Sequence, residues 1–354
     1  MDAEAIIIGA GPAGATVALN LAPFRKVLLV DPAPAPEQRI GESIPGAARR
    51  LLADMGLLDQ FLADGHTPRH ALRSAWGDPT PVVRDSIADP DGHGWQIDRR
   101  LFEDRLRAAA RARGASAVTA RAIAVRRESE GFAVTLDRPE GVDVRARLII
   151  DASGRRSRLG AATRTRRGKL SCAWLRASGV TLPAGVVQIE AEAEGWWYCS
   201  ALPAGEGLLA FHTDSDLPAA KTAATPRALL RRARALPMLG ALLGEAAWSA
   251  SETGYCAAHS AWPESPVREG WIATGDAALA CDPLSAQGLF NSLYFGLSAA
   301  EAANRWLDGE ASALDDYARD VVSVRSHNLR AESAWYALER RWADAPFWKR
   351  RHTV

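Results

Sequence analysis

Gly9-Ala10-Gly11-Pro12-Ala13-Gly14 sets three glycines at the spacing G-x-G-x-x-G, close to the start of the chain. At that spacing the first glycine permits a tight turn and the second lets the backbone approach a pyrophosphate. The third lets a helix pack closely while its N-terminus faces the phosphates, and Pro12 and Ala13 complete the turn. Asp31, which closes the apolar run 27–30, is placed to accept hydrogen bonds from a ribose hydroxyl. A second group lies far along the chain, where Gly275-Asp276 precedes Asp282-Pro283-Leu284-Ser285-Ala286-Gln287-Gly288-Leu289-Phe290-Asn291. An aspartate on such a turn suits the ribityl hydroxyls of a flavin. Amides around Gly288 and Leu289, at a helix start, suit the negative charge of a reduced ring. Both groups point to one dinucleotide, FAD.

Placing those groups takes a particular order of elements. Ala5-Ile6-Ile7-Ile8 reads as a buried parallel strand, 14–21 as a helix with Ala18 and Leu21 inward, and 27–30 as a second strand. Pro45 opens a helix predicted to carry Leu51, Leu52, Met55 and Leu58 on one face, and 100–113 forms another, with Asp98 or Arg99 near its cap. From 122 to 150 the pattern turns to period two, a β-meander closing on Leu148-Ile149-Ile150. Residues 166–258 spread Trp174, Trp196, Trp197, Tyr198, Phe211 and Trp248 over strands, with one Arg/Leu-rich helix at 226–243. The strand Trp271-Ile272-Ala273, a helix at 288–307 and a helical tail at 314–343 follow. The expected class is α/β, a dinucleotide-binding Rossmann-type FAD domain (1–75, 95–165 and 259–310) interleaved with a mixed β-sheet substrate domain (76–94 and 166–258). C-terminal helices occupy 311–354.

The charge is close to balanced, 43 basic against 42 acidic residues for a net +1, so no global field attracts nucleic acid. No run reaches the roughly 18 apolar residues of a membrane span. The N-terminus enters a strand without room for a secretion signal, which makes a cytoplasmic location the expectation. Four cysteines, Cys172, Cys199, Cys256 and Cys281, are scattered without zinc spacing and read as free thiols. The only lysines are Lys26, Lys169, Lys221 and Lys349.

The two cofactor segments resemble those of the FAD-dependent group A monooxygenases of the para-hydroxybenzoate hydroxylase fold, and of their relatives the tryptophan halogenases and geranylgeranyl reductases. The resemblance spans most of residues 1–310. Arg39-Ile40-Gly41-Glu42-Ser43-Ile44-Pro45 resembles the G-E-S-x-P loop of the halogenase-like branch, which implies that Arg39 and Ser43 lie against the flavin. Trp95-Gln96-Ile97-Asp98-Arg99-Arg100-Leu101-Phe102 resembles a segment whose arginine reaches the cofactor, and Arg99 takes that position. Asp151-Ala152-Ser153-Gly154-Arg155-Arg156-Ser157-Arg158 is the D-A-S-G form of a motif near FAD. The fuller hydroxylase form, which also serves NADPH, is missing, so the flavin is reduced either by NAD(P)H directly or through a separate reductase, the latter expected to be faster.

The resemblance also bears on the reaction. Halogenases carry a lysine that captures hypohalous acid after the G-E-S loop, and this chain has none between Lys26 and Lys169. Gly195-Trp196-Trp197-Tyr198-Cys199-Ser200-Ala201-Leu202-Pro203 departs from their W-x-W-x-I-P segment and loosely resembles the Y-x-W-x-F-P strand of geranylgeranyl reductases. Hydroxylation of an electron-rich aromatic ring through a flavin C4a-hydroperoxide is the leading expectation. Pro283 is then expected to line the oxygen-reacting side, with Trp197 and His212, beside Trp196, facing substrate. One subgroup of flavoproteins matures quinone cofactors by oxidising a tryptophan of a partner enzyme, and resembles the chain in its G-E-S-x-P, G-W-W-Y, G-D-A-A and D-P-L-S-x-Q-G segments. The substrate is therefore an aromatic small molecule or a peptidyl tryptophan. A reductase, a halogenase and a non-catalytic FAD-binding maturation factor remain the alternatives.

Overall fold

The computed structural model describes every residue except 37–38, 139–140, 158, 160–162, 224, 245–247 and 353–354. Along the chain β1 (Ala5–Ile8), α1 (Pro12–Leu21), β2 (Val27–Asp31), β3 (Ser43–Ile44), α2 (Ala48–Asp54) and α3 (Leu58–Ala63) come first. Next are β4 (Thr67–Arg69), β5 (Ala71–Ala75), β6 (Val82–Asp85), β7 (Gly94–Gln96), α4 (Arg99–Ala112), β8 (Ser116–Thr119), β9 (Ala122–Glu128), β10 (Gly131–Leu136), β11 (Asp143–Ala146) and β12 (Leu148–Asp151). The middle holds β13 (Arg164–Arg167), β14 (Leu170–Ser178), β15 (Val186–Glu192), β16 (Gly195–Leu202), β17 (Glu206–Asp214), α5 (Pro218–Thr222), α6 (Pro226–Arg234) and α7 (Pro237–Leu243). The chain ends with β18 (Ala250–Ala257), β19 (Ser260–Pro263), β20 (Val267–Arg268), β21 (Trp271–Ala273), α8 (Gly288–Leu307), α9 (Ala313–Leu338) and α10 (Pro346–His352).

The described strands form a sheet in the order β20-β21-β12-β1-β2-β8, parallel except for β20. Its inner strands β1, β12 and β21 are buried on both faces, and β2 nearly so, which is why they read as continuous apolar runs. Ile7, Leu29 and Ile150 face α1, α4 and α8, whereas Ile6, Ile8 and Val30 face Phe132, Val134 and Leu136 of β10. The meander β9–β11 is thus a separate antiparallel layer. The run at 148–150, read as its last strand, instead enters the parallel sheet between β1 and β21.

A second sheet runs β18-β14-β17-β16-β15-β5-β6, antiparallel apart from the parallel β5–β15 pair. β5, assigned from sequence to the first domain, therefore belongs by pairing with this second sheet. The expected helix at 226–243 is two helices. Leu236 is extended before Pro237, as the proline ring requires of its predecessor, and the carboxylate of Glu190 accepts from the amides of Met238 (3.1 Å) and Leu239 (2.7 Å) to hold the start of α7. The helix expected from Pro45 likewise stops at Gly56, which has φ +67, and Leu58 begins α3.

The C-terminal helices join the two sheets. Tyr317 at the start of α9 packs in the cluster of the parallel sheet and donates its hydroxyl to Ala273 O at 2.8 Å. Tyr336 near its end, with Phe347 and Trp348 of α10, packs on the second sheet. α1 and α8 cross closely at Gly296, where an added Cβ would lie 2.7 Å from Thr16 Cβ and 2.8 Å from Ala13 O. Gly296→Leu is expected to lower unfolding stability in urea by about 1–3 kcal/mol; an unchanged midpoint and slope would contradict this close crossing.

Candidate active site

The glycine segment forms the turn from β1 into α1. Gly9 has φ +106, and an added Cβ there would lie 2.4 Å from Ala152 O, in the turn that follows β12. At Gly14 a Cβ would strike Gly9 O at 1.8 Å. Gly11, the N-cap of α1, differs: nothing lies within 4 Å of where its Cβ would be. The helix therefore opens onto free space at the residue where a pyrophosphate would be held, with its unpaired first-turn amides beside it.

Asp31, at the end of β2, accepts from the amides of Ala10 (2.7 Å) and Ala33 (2.9 Å). Arg107 of α4, nearly buried, donates to Ala10 O (2.8 Å) and Ala33 O (3.0 Å) and stands 3.8 Å from Asp31. A cavity of about 420 Å³ opens here, lined by Ala10, Asp31, Arg107, Val118 and Thr119 among others. Its place and polarity fit the ribose end of a dinucleotide, and Asp31 keeps lone pairs free for a hydroxyl.

The G-E-S loop is held from two sides. Arg99 Nη1 donates to Ile40 O (2.7 Å) and Gly41 O (3.1 Å) while its Nε pairs with Glu103 (2.8 Å). It is a brace for the loop rather than a solvated helix start, and Asp98 is the N-cap of α4, accepting from Leu101 N at 2.9 Å. Glu42 is buried, accepts from Gly41 N at 2.7 Å and pairs with the buried Arg176 of β14. Burial pushes the Glu42 carboxyl up and Arg176 opposes that shift. Ser43 pairs in register with Gln96, whose amide donates to the Tyr198 hydroxyl of β16 at 2.9 Å. Arg39 is exposed at the loop's start.

The turn Gly275–Ala277 follows β21 and holds Asp276 half-buried. Arg155 of the D-A-S-G segment reaches it, its Nε 3.8 Å from Asp276 Oδ2, and also donates to the carbonyls of His259 and Cys281. Arg158 lies outside the described residues. Asp282 caps the turn Pro283–Ser285, accepting from Leu284 N at 2.9 Å, and leaves Pro283 exposed. Its other oxygen accepts from the Tyr336 hydroxyl at 2.9 Å. Burial, with the nearby Glu332 adding, pushes the Asp282 carboxyl up to about 7. Gly288 begins α8 with nothing within 4 Å of its Cβ direction, and Leu289 behind it is buried.

The aromatic residues expected to face substrate are placed otherwise. Trp197 is fully buried on the sheet face covered by α5–α7, stacked on Phe211 at 4.6 Å, with its Nε1 3.2 Å from Glu192. Neighbours on a strand point to opposite faces, so Trp196 takes the other side. There it stacks on His212 at 3.7 Å and donates to the Tyr336 hydroxyl at 3.1 Å. Burial drives His212 down to about 3, leaving a neutral ring already committed to that stack. Trp197 and His212 are core residues, not substrate contacts. Tyr198, Gln96, Arg107, Arg155 and Arg176 do line or brace the site and were not singled out from sequence. The W-Q-I-D and G-W-W-Y segments held the first two and the D-A-S-G segment held Arg155, while Arg107 and Arg176 gave no local signal.

Comparison with known proteins agrees with this geometry. Residues 77–202 match the tryptophan halogenase family model. LodB of Marinomonas mediterranea, called an FAD-dependent oxidoreductase, is 26% identical over 99% of this chain and 96% of its own. The menaquinone reductase of Mycobacterium tuberculosis is 29% identical over 85% of this chain and 76% of that protein. The structure of the myxobacterial chondrochloren halogenase CndH, a variant of FAD-dependent halogenases, has a TM-score of 0.90 at 26% identity, covering 99% of this chain and 86% of that one. QhpG, a peptidyl tryptophan dihydroxylase essential for tryptophylquinone cofactor biogenesis, shares the fold with a TM-score of 0.80 at 24% identity, over 99% of this chain and 79% of that one.

Fold and relatives together define an FAD-dependent oxidoreductase. Its similarities lie with the tryptophan-halogenase-like branch of the FAD-dependent enzymes.

Gly11 and Gly14 separate ligand space from packing space. Gly11→Val is expected to fold with native circular dichroism and a stability change within about 1 kcal/mol, yet to lose FAD on desalting. Gly14→Val is expected to fail to fold. FAD retained in full by Gly11→Val would refute the pyrophosphate assignment.

Proposed function

We propose that the protein is an FAD-dependent monooxygenase that adds oxygen to an electron-rich aromatic ring, with a tryptophan side chain of a partner polypeptide as its substrate. The observation that carries oxygenation over halogenation is the absence of lysine between Lys26 and Lys169, the stretch that holds the halide-relay lysine in the halogenases the sequence resembles. The peptidyl tryptophan substrate is supported by the fold shared with QhpG.

Bound and reduced, the flavin supplies the electrons that activate dioxygen. The chain's own part is to bind and orient. Gly11 and the start of α1 take the pyrophosphate, Asp31 the ribose and Asp276 the ribityl chain. Arg39, Ser43 and the loop braced by Arg99 lie along the ring, and Gly288 and Leu289 set amides at the start of α8. Pro283 lines the side where oxygen reacts. Asp282, behind it, can hold a proton near neutral pH. A separate reductase supplies the electrons, since the D-A-S-G segment lacks the fuller motif that serves NADPH.

A second reading, reduction of an isoprenoid quinone, is favoured by the similarity to a menaquinone reductase. One experiment separates the readings: FAD-loaded protein, a flavin reductase with NADH, oxygen and bromide, offered tryptophan-bearing peptides, phenols and a prenylquinone in parallel. The expected outcome is a gain of about 16 Da per oxygen on the peptide, without bromination. Brominated product would overturn the reading in favour of halogenation, and quinone reduction alone in favour of the reductase.

A further inference from the structure

Cys172 of β14 and Cys256 of β18 are direct register partners on neighbouring antiparallel strands. Such partners send their side chains to the same face with Cα atoms about 4.5–5.5 Å apart, inside the roughly 4.4–6.8 Å that a disulfide spans. Both thiols are free, and they hydrogen-bond to each other. Of the other cysteines, Cys199 lies on the opposite face beside Trp197, and Cys281 accepts from the Asn328 amide near α8.

The pair sits on the cofactor side of the sheet. Cys172 is also opposite His212, and His212 opposite Trp196, so a single row of side chains crosses β18, β14, β17 and β16. That row belongs to the apolar cluster that takes in Ile40, just before the G-E-S turn, and Leu284, just after Pro283. Both loops of the proposed flavin site thus rest on the wall that carries the thiols.

The two thiols differ in a way that divides labour between them. Cys172 is sealed, and burial pushes its thiol well up. Cys256 is partly exposed, and the hydrogen bond with Cys172, with Arg155 and Arg156 adding, brings it down to about 7. A thiolate is the reactive form toward peroxides.

We propose that Cys256 and Cys172 form a peroxide-reactive dithiol, in which Cys256 is the attacking sulfur and Cys172 closes a cross-strand disulfide on the cofactor-facing wall. The oxidant is hydrogen peroxide, which, on the proposed function, a bound reduced flavin would release with dioxygen when no substrate intervenes. The Cys256 thiolate attacks one peroxide oxygen, the O–O bond breaks, and hydroxide leaves, giving a sulfenic acid. The Cys172 sulfur then displaces hydroxide from Cys256, which departs as water with the Cys172 proton. Two electrons pass from the thiols to the peroxide. The bridge forms within the apolar cluster that also takes in Ile40 and Leu284, so peroxide released in the proposed site would leave a record in its wall.

The test uses the full chain, reduced, freed of reductant and treated with stoichiometric hydrogen peroxide. The expected result is a loss of about 2 Da, reversed by dithiothreitol, and one linked peptide pair joining Cys172 to Cys256. Cys172→Ser should stop at a sulfenic acid on Cys256, trapped by dimedone, and Cys256→Ser should leave Cys172 unmodified. The wild-type linkage map decides the matter even if a variant misfolds. Peroxide that oxidises the four thiols alike, or links a different pair, overturns the proposal.

Discussion

The carboxyl ends of the parallel strands are the constraint on which the rest of the site depends. β1, β12 and β21 are buried along their length and β2 over most of its, and each ends in a polar turn: Gly9, Asp31, Asp151 and the Thr274–Asp276 stretch. Buried main chain must be hydrogen-bonded, so these turns are knitted together, with Ala152 N bonded to Ile8 O and Thr274 N to Asp151 O, both at 2.9 Å. The turns after β1 and β12 meet where Gly9 lacks a side chain, since a Cβ there would strike Ala152 O. The crevice at strand carboxyl ends is where open α/β sheets take their ligands, and the free space at Gly11 lies within it.

A second interaction fixes this crevice relative to the second sheet. Glu42 and Arg176 are both buried, one on the G-E-S loop and one on β14, and Arg176 also reaches Glu206 at 3.1 Å. A buried charge needs its partner, and removing one side of such a pair costs about 3–5 kcal/mol. The loop is therefore tied to the sheet, just as Tyr336 ties α9 to Asp282 and Trp196. The G-E-S loop, the second sheet and α9 are thus tied to one another by buried polar contacts.

Local patterns were legible where their partners are near in sequence. The glycine spacing, the strands around it, Asp31, the Asp98 cap and the long helix from Gly288 all follow from neighbours within a few turns of chain. What escaped the sequence depends on distant pairing. Trp196 and Trp197 must point apart, but which one meets the cofactor side is set by the register with β17 and by α6 and α7 covering the other face. β5 resembled part of the first domain because its parallel partner β15 is remote. Arg99 was marked by its motif, whereas Arg107 and Arg176 are two among many arginines, distinguished only by burial that tertiary contacts create. The C-terminal segment read as a helical tail, yet Trp348 and Phe347 pack on the second sheet beside Tyr336.

The central claim is that one dinucleotide spans the crevice from Asp31 to Asp276. Titrating apoprotein with FAD and with FMN, followed by quenching of flavin fluorescence, tests it directly. The account predicts tight stoichiometric binding of FAD and at least about 100-fold weaker binding of FMN, which lacks the adenosine half that Asp31 and the Arg107-lined cavity would hold. Equal affinity for the two flavins would contradict it.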